Sequence, residues 1–255
     1  GGHNHHNARV GLWIEGGRYE NPGDDCSNFN SLVMNLEGVD VLTNTVTLRA
    51  PPIDPVGFET GDLDIIPGDL LDFWDRPNGK LLIRAKVASV STPPPLTNVT
   101  FSPSSPLPTL PSTVEVFHFN RSATQLVIRN SAFINCRRIG ILLHADRALI
   151  SNNYFEGLGG GIVESWPDPD EGLCTTRCLI RNNIAIETNQ LGRYAAPIWT
   201  TVFAVNNSIC HDDILVQNNT FLQGPGPFFR IHDASYVSFV ANNITRCATD
   251  PSPVL

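Results

Sequence analysis

Cys178-Leu179-Ile180-Arg181-Asn182-Asn183 and Ile214-Leu215-Val216-Gln217-Asn218-Asn219 are two copies of one phrase, a short β-type run closed by asparagine. Three further copies are Leu126-Val127-Ile128-Arg129-Asn130, Ala148-Leu149-Ile150-Ser151-Asn152-Asn153 and Ser238-Phe239-Val240-Ala241-Asn242-Asn243. With Asn130, Asn152, Asn182, Asn218 and Asn242 taken as equivalent, the steps are 22, 30, 36 and 24 residues. A coil of 22–24 residues with occasional loop insertions explains them. One coil of three short strands cannot cover its own apolar side. Stacking coils at about 4.8 Å pairs each backbone group with the coils above and below. Asparagine suits the bends because it tolerates the left-handed conformation, and stacked asparagines can bond to one another as a ladder. The repeat therefore predicts an all-β chain, a right-handed parallel β-helix of the pectin-lyase-like kind.

A second strand per coil aligns Gly140–His144, Gly160–Glu164, Ala196–Thr200 and Phe228–His232. Alternation points Ile141, Leu143, Val163, Phe229 and Ile231 inward. His144, Glu164, Arg230 and His232 are then expected on one outer face, with Asp24 to Asn28 in the equivalent strand of an earlier coil.

Between residues 36 and 116 the asparagine phrase disappears, and twelve of the twenty prolines fall there. Val46–Leu48, Leu70–Trp74 and Leu81–Val87 read as strands. Asn78-Gly79 signals a type I′ hairpin between the last two. Ser91 to Pro111 reads as a long loop. The expected organisation is solenoid over 1–35, an inserted β-barrel-like module over 36–116, and solenoid over 117–255.

The charge is −8 with no Lys/Arg run, which argues against a nucleic-acid or anionic-membrane partner. No apolar run approaches the ~18 residues of a membrane span. Five Asn-x-Ser/Thr sequons, at Asn98, Asn120, Asn206, Asn218 and Asn243, fit a secreted, extracellular glycoprotein; Asn218 and Asn243 are read as structural instead. The chain opens in patterned sequence, as part of a longer protein would. Of six cysteines, Cys174 and Cys210 each lie eight residues before a repeat asparagine, which predicts a disulfide between adjacent coils. Cys26, Cys136, Cys178 and Cys247 stay unassigned. A zinc site from Cys174, Cys178, Cys210 and His211 is the sharper alternative. The His3-Asn4-His5-His6 run is read as unspecific, and no metal is expected.

Gly23-Asp24-Asp25-Cys26-Ser27-Asn28 is the patch best suited to chemistry, since paired carboxylates do acid/base work on glycosidic bonds. Neighbouring residues on a strand face opposite ways, so the pair shares one cleft only where the backbone bends. The alternative is a solvated or calcium-type pair. Arg9, Glu15, Asn28, Arg137, Glu164, Trp166, Glu171, Arg230 and His232 are the candidate sugar contacts, by stacking and bidentate hydrogen bonds. Trp13 and Trp199 are read as packing residues.

Gly11-Leu12-Trp13-Ile14-Glu15, followed by Pro22 to Asn28, resembles the Asp-Asp coil of β-helical α-1,3-galactosidases, a glycoside hydrolase family. Phe58–Asp69 and Asp72–Val90 resemble its inserted barrel, and Asn135–Leu143 its Arg-x-x-Gly coil. Trp166–Gly172 resembles a loop with a Trp and a Glu-Gly step. The resemblance implies an inverting exo-hydrolase of terminal α-galactosyl sugars, without cofactor, in which Asp24 and Asp25 position water. The family's further catalytic Asp falls at Gly1 or Gly2, and Ile139 stands where the family has a second Arg. The alternatives are a catalytically silent carbohydrate-binding β-helix, and a polysaccharide lyase or pectin hydrolase on the same solenoid.

Overall fold

The computed structural model describes residues 3–6, 9, 11–30, 33–49, 63–78, 80–91, 96–165, 174–188, 198–200, 211–222, 228–231 and 234–245. Six coils stack in chain order. The first holds β1 (His3–His6), β2 (Trp13–Glu15) and β3 (Arg18–Glu20). The second holds β4 (Ser27–Asn30), then a barrel of β5 (Val33–Asp40), β6 (Thr45–Arg49), β7 (Leu70–Asp75), β8 (Lys80–Ser91), β9 (Leu96–Phe101) and β10 (Val114–His118), then β11 (Val127–Arg129) and β12 (Ala132–Ile134). The third holds β13 (Ile141–Leu143), β14 (Leu149–Ser151) and β15 (Tyr154–Glu156), and the fourth β16 (Val163–Ser165), β17 (Thr176–Arg181) and β18 (Ile184–Ile186). The fifth holds β19 (Ile198–Thr200), β20 (His211–Gln217) and β21 (Thr220–Leu222), and the sixth β22 (Phe229–Ile231), β23 (Ala234–Val240) and β24 (Asn243–Thr245).

Like strands of successive coils pair in parallel into three six-stranded sheets. Sheet A is β1-β4-β13-β16-β19-β22, sheet B is β2-β11-β14-β17-β20-β23, and sheet C is β3-β12-β15-β18-β21-β24. The chain is a parallel β-helix, as the repeat predicts.

Every bend from sheet B to sheet C is two residues long, and the two divide the work. The first is left-handed: Gly16, Asn130, Asn152, Asn182, Asn218 and Ala241 have φ between 52° and 67°. The second carries the ladder. The Oδ1 atoms of Asn183, Asn219 and Asn242 accept from the Asn153, Asn183 and Asn219 backbone N–H groups respectively, each at 2.9 Å. Each Nδ2 donates to a carbonyl in the preceding coil: Asn183 to Ile150, Asn219 to Ile180 and Asn242 to Val216. The register corrects one position. Thr220 pairs with Asn243, so Ala241, not Asn242, is equivalent to Asn218, and the last step is shorter by one. The Asn242-Asn243 pair of the sixth coil, which reads as the equivalent of Asn218-Asn219 but lies one place later, hid this offset.

The interior is columns of like residues. Ile14, Ile128, Ile150, Ile180 and Val216 stack in sheet B. In sheet C, Tyr19, Phe133 and Phe155 stack with ring centroids 5.0 and 4.9 Å apart. Gly140 is required where it stands, because an added Cβ would lie 2.9 Å from the Ile162 carbonyl oxygen.

The links from sheet A to sheet B vary as much as the B-to-C bends are constant. They span residues 144–148, 166–175, 201–210 and 232–233 in the last four coils, and in the second coil the link contains the whole barrel. The barrel closes in the antiparallel order β10-β5-β6-β9-β8-β7 around Val46, Leu48, Leu71, Phe73, Val99, Phe101 and Val116. Two expectations change there. Ser91–Pro111 is not all loop: Leu96–Phe101 alternates half-buried and buried residues as β9, a pattern obscured by Pro93-Pro94-Pro95. The β7–β8 connection contains a 3₁₀ turn, Arg76–Asn78, not a two-residue type I′ turn. There Asn78 donates to the Asp75 carboxylate at 2.6 Å.

Candidate active site

Two successive bends from sheet C to sheet A, residues 21–26 and 135–140, lie one above the other. The Cys26 N–H donates to the Ile139 carbonyl and the Ser27 N–H to the Gly140 carbonyl. The Cys26–Cys136 disulfide joins the two bends across 110 residues of sequence, with Cα atoms 5.8 Å apart. Nothing in the sequence assigned that pairing, because the barrel separates bends that are adjacent in space. Cys174 is also disulfide-bonded; Cys210, its expected partner, lies outside the described residues. Cys178 is a buried free thiol whose pKa burial pushes up to about 12. A zinc site using Cys174 and Cys178 is therefore corrected: one is oxidised and the other is an inert core residue.

Asp24 and Asp25 sit in the upper bend, just before β4 rather than in it. The bend lets both carboxylates turn towards one guanidinium. Arg138 donates to Asp24 Oδ1 at 3.0 Å, and its Nε lies 3.8 Å from Asp25 Oδ1. The Ile139 N–H donates to the same Asp25 oxygen at 3.2 Å. Arg137 supports the bend by donating to the Gly23 carbonyl. Exposure separates the two acids: the Asp24 side chain is 68% exposed and that of Asp25 only 10%. Burial raises the Asp25 pKa, Arg138 and the Ile139 N–H lower it, and Asp24 adds a smaller upward push.

Glu164 belongs to the same neighbourhood. In sheet A it pairs with Leu142, which pairs with Asn28. Its Oε1 accepts from the Gly161 N–H at 2.6 Å, and its buried Oε2 has no hydrogen-bond partner among the described residues. Burial pushes its pKa up to about 8; Asp25 adds to the rise and Arg138 opposes it. At neutral pH it is mostly protonated. Glu164 and His144 have the outward parity of their strands, yet both are fully buried. They do not form the open face expected from alternation alone.

The remaining candidates divide. Asn28 is half-buried on β4 and Arg230 exposed on β22. Arg9 is at the barrel junction, donating to Asp69 at 2.7 and 3.0 Å. Asp69 is also bonded to the buried His118 at 2.9 Å. Glu15 is on sheet B, where Arg129, Trp13 and Asn130 donate to it and lower its pKa. Trp13 is corrected: it is 62% exposed, with Arg129 over its ring at 4.6 Å, and is not a packing residue. Trp166, Glu171 and His232 lie outside the described residues, as does the Trp199 side chain. Arg138 was missed, although Arg137-Arg138 stood in the quoted Arg-x-x-Gly motif. Among the described residues no group of three or more His, Cys, Asp or Glu side chains could hold a metal ion, and no helix is long and apolar enough to cross a membrane.

No family model matches the chain, and no curated protein matches it. Among solved structures, the tailspike protein gp49 from Pseudomonas phage LKA1 is similar with a TM-score of 0.38 and 10% sequence identity. The match covers 95% of this chain and 50% of the tailspike, so the chain spans half the length of that protein.

Proposed function

We propose that the chain is a secreted glycoside hydrolase that removes terminal α-galactosyl sugars from glycans, with Asp25 as its acid and Asp24 as its base. The observation that supports this is the convergence of two sequence-adjacent carboxylates on Arg138, one exposed and one nearly buried. Environments that separate two acids favour division of labour between them. Burial, which raises the Asp25 pKa, suits Asp25 rather than Asp24 to donate a proton to the leaving glycosidic oxygen, a departure from the water-positioning role that the resemblance gives both residues. Asp24, ion-paired and open to solvent, takes a proton from the water attacking the anomeric carbon as the carbon–oxygen bond breaks. Disulfide-bonded cysteines fit an oxidising, extracellular compartment.

The test is turnover of terminal α-1,3-galactosyl oligosaccharides, with the first-released anomer read by NMR. Asp24→Asn and Asp25→Asn are each expected to lower kcat by about 10²–10⁴-fold without loss of the fold. Unchanged turnover in both variants refutes the assignment. The ion pair itself favours a second reading, a glycan-binding β-helix without turnover, because Arg138 already engages Asp24. Binding of these glycans with no free galactose would establish that reading.

A further inference from the structure

A groove of about 320 Å³ runs between the barrel wall and the solenoid, at the opposite end of the sheet A strands from Asp24 and Asp25. Ligand sites commonly have volumes of ~300–1,000 Å³. On its solenoid side Asp146, Thr176, Asp212 and Ser235 occupy one register position in four successive coils. Three coil steps make this polar stripe about 14 Å long. The barrel side supplies Trp74, Leu81, Asp72 and Arg84.

Two of the three lining carboxylates are already paired with cations. Arg84 bonds Asp72 through two nitrogens at 2.6 and 2.8 Å and lies 3.6 Å over the Phe119 ring. Asp146 accepts from Arg147 at 3.0 Å, Thr176 at 2.7 Å and Arg177 Nε at 2.7 Å. Asp212 accepts from Ser235. Arg84, the cation among the described lining residues, is thus committed to a carboxylate, and Asp72, Asp146 and Asp212 around it disfavour an anion. Hydroxyl, carboxylate and guanidinium groups repeat opposite an indole and an aliphatic side chain. That combination fits a pyranose chain, with hydroxyls towards the stripe and ring faces towards exposed Leu81 and the small accessible part of Trp74, whose indole is otherwise packed with Val33 and Phe117.

We infer that this groove is a second binding site, separate from the Asp24–Asp25 corner, for a neutral oligosaccharide lying along the solenoid axis. Its glycan class draws support from the proposed function, but its location does not depend on Asp24 or Asp25. The anionic chains of a pectin-type substrate are disfavoured in it.

Titration calorimetry with neutral galacto-oligosaccharides and with oligogalacturonates of equal length tests the inference. Both ligands are titrated into the Asp24→Asn background, so that neither is consumed during the measurement, and the neutral chain is expected to bind. Ser235→Trp, which fills the groove, and Asp212→Ala are each expected to weaken binding at least tenfold while leaving the circular dichroism spectrum unchanged. The ligand-induced fluorescence change is expected to disappear in Trp74→Phe. Neutral-ligand binding unaltered by both groove substitutions, uronates bound as well as neutral chains, or no binding of neutral chains would each overturn the inference. Failure of groove binding while turnover of terminal α-galactosides persists in the wild-type chain would overturn the inference alone and leave the hydrolase proposal standing.

Discussion

Asn182 and Asn183 are adjacent, identical in chemistry and opposite in role, so substituting each with alanine isolates what the ladder contributes. Asn183 is 1% exposed. Its Oδ1 accepts from the Asn153 N–H at 2.9 Å, and its Nδ2 donates to the Ile150 carbonyl at 3.0 Å and to Asn219 Oδ1 at 2.9 Å. Asn183→Ala removes the acceptor from one buried N–H and a donor from one buried carbonyl. Each stranded group costs about 1–3 kcal/mol, so a loss of roughly 2–6 kcal/mol is expected. Asn182, with φ of 55°, is exposed and serves the bend. Alanine there costs about 1 kcal/mol through left-handed strain, and glycine close to nothing. Urea unfolding followed by far-ultraviolet circular dichroism gives both values from midpoint and slope. If Asn183→Ala is no more costly than Asn182→Ala, the ladder does not hold the coils together and the account of the repeat fails.

Three further expectations concern the candidate site. Glu164 has a folded-state pKa of about 8 against 4.5 in the reference state, so the folded chain binds the extra proton between those values. Stability should therefore fall as pH rises from about 4.5 to 8. Glu164→Gln, which keeps an acceptor for the Gly161 N–H, should flatten that part of the melting-temperature profile; an unaltered slope would count against it. Cys136→Ser opens a closed loop of 110 residues containing the barrel and should cost about 2–5 kcal/mol in urea. Arg138→Ala takes away the charge shared by Asp24 and Asp25 and should move the alkaline limb of any pH–rate profile to higher pH, because Arg138 lowers the pKa of Asp25, the acid.

The solenoid was legible because its bends impose residue type directly: a left-handed backbone and a ladder acceptor both select asparagine, and both recur in sequence. The barrel was legible as an interruption, and less so in its strands, since Leu96–Phe101 is flanked by prolines that mark a loop equally well. The site was legible only in part. Asp24 and Asp25 announce themselves as neighbours, whereas Arg138 and the Cys26–Cys136 bridge depend on which bends lie above one another, and the barrel hides that by 110 residues. Parity placed Glu164 outward, but parity does not say what covers a face, and Glu164 is buried.

The unequal corners of the coil give the molecule one conservative edge and one permissive edge. Two-residue turns with their asparagine ladder keep the coils in step from one side. The opposite side accepts anything from the two residues 232–233 to an entire barrel. New recognition surfaces can therefore be grafted, exchanged or shortened along the permissive edge while the backbone pairing stays as it was. A lineage built on this frame would diversify what it binds by replacing links between sheets A and B, long before it altered a single asparagine on the far side.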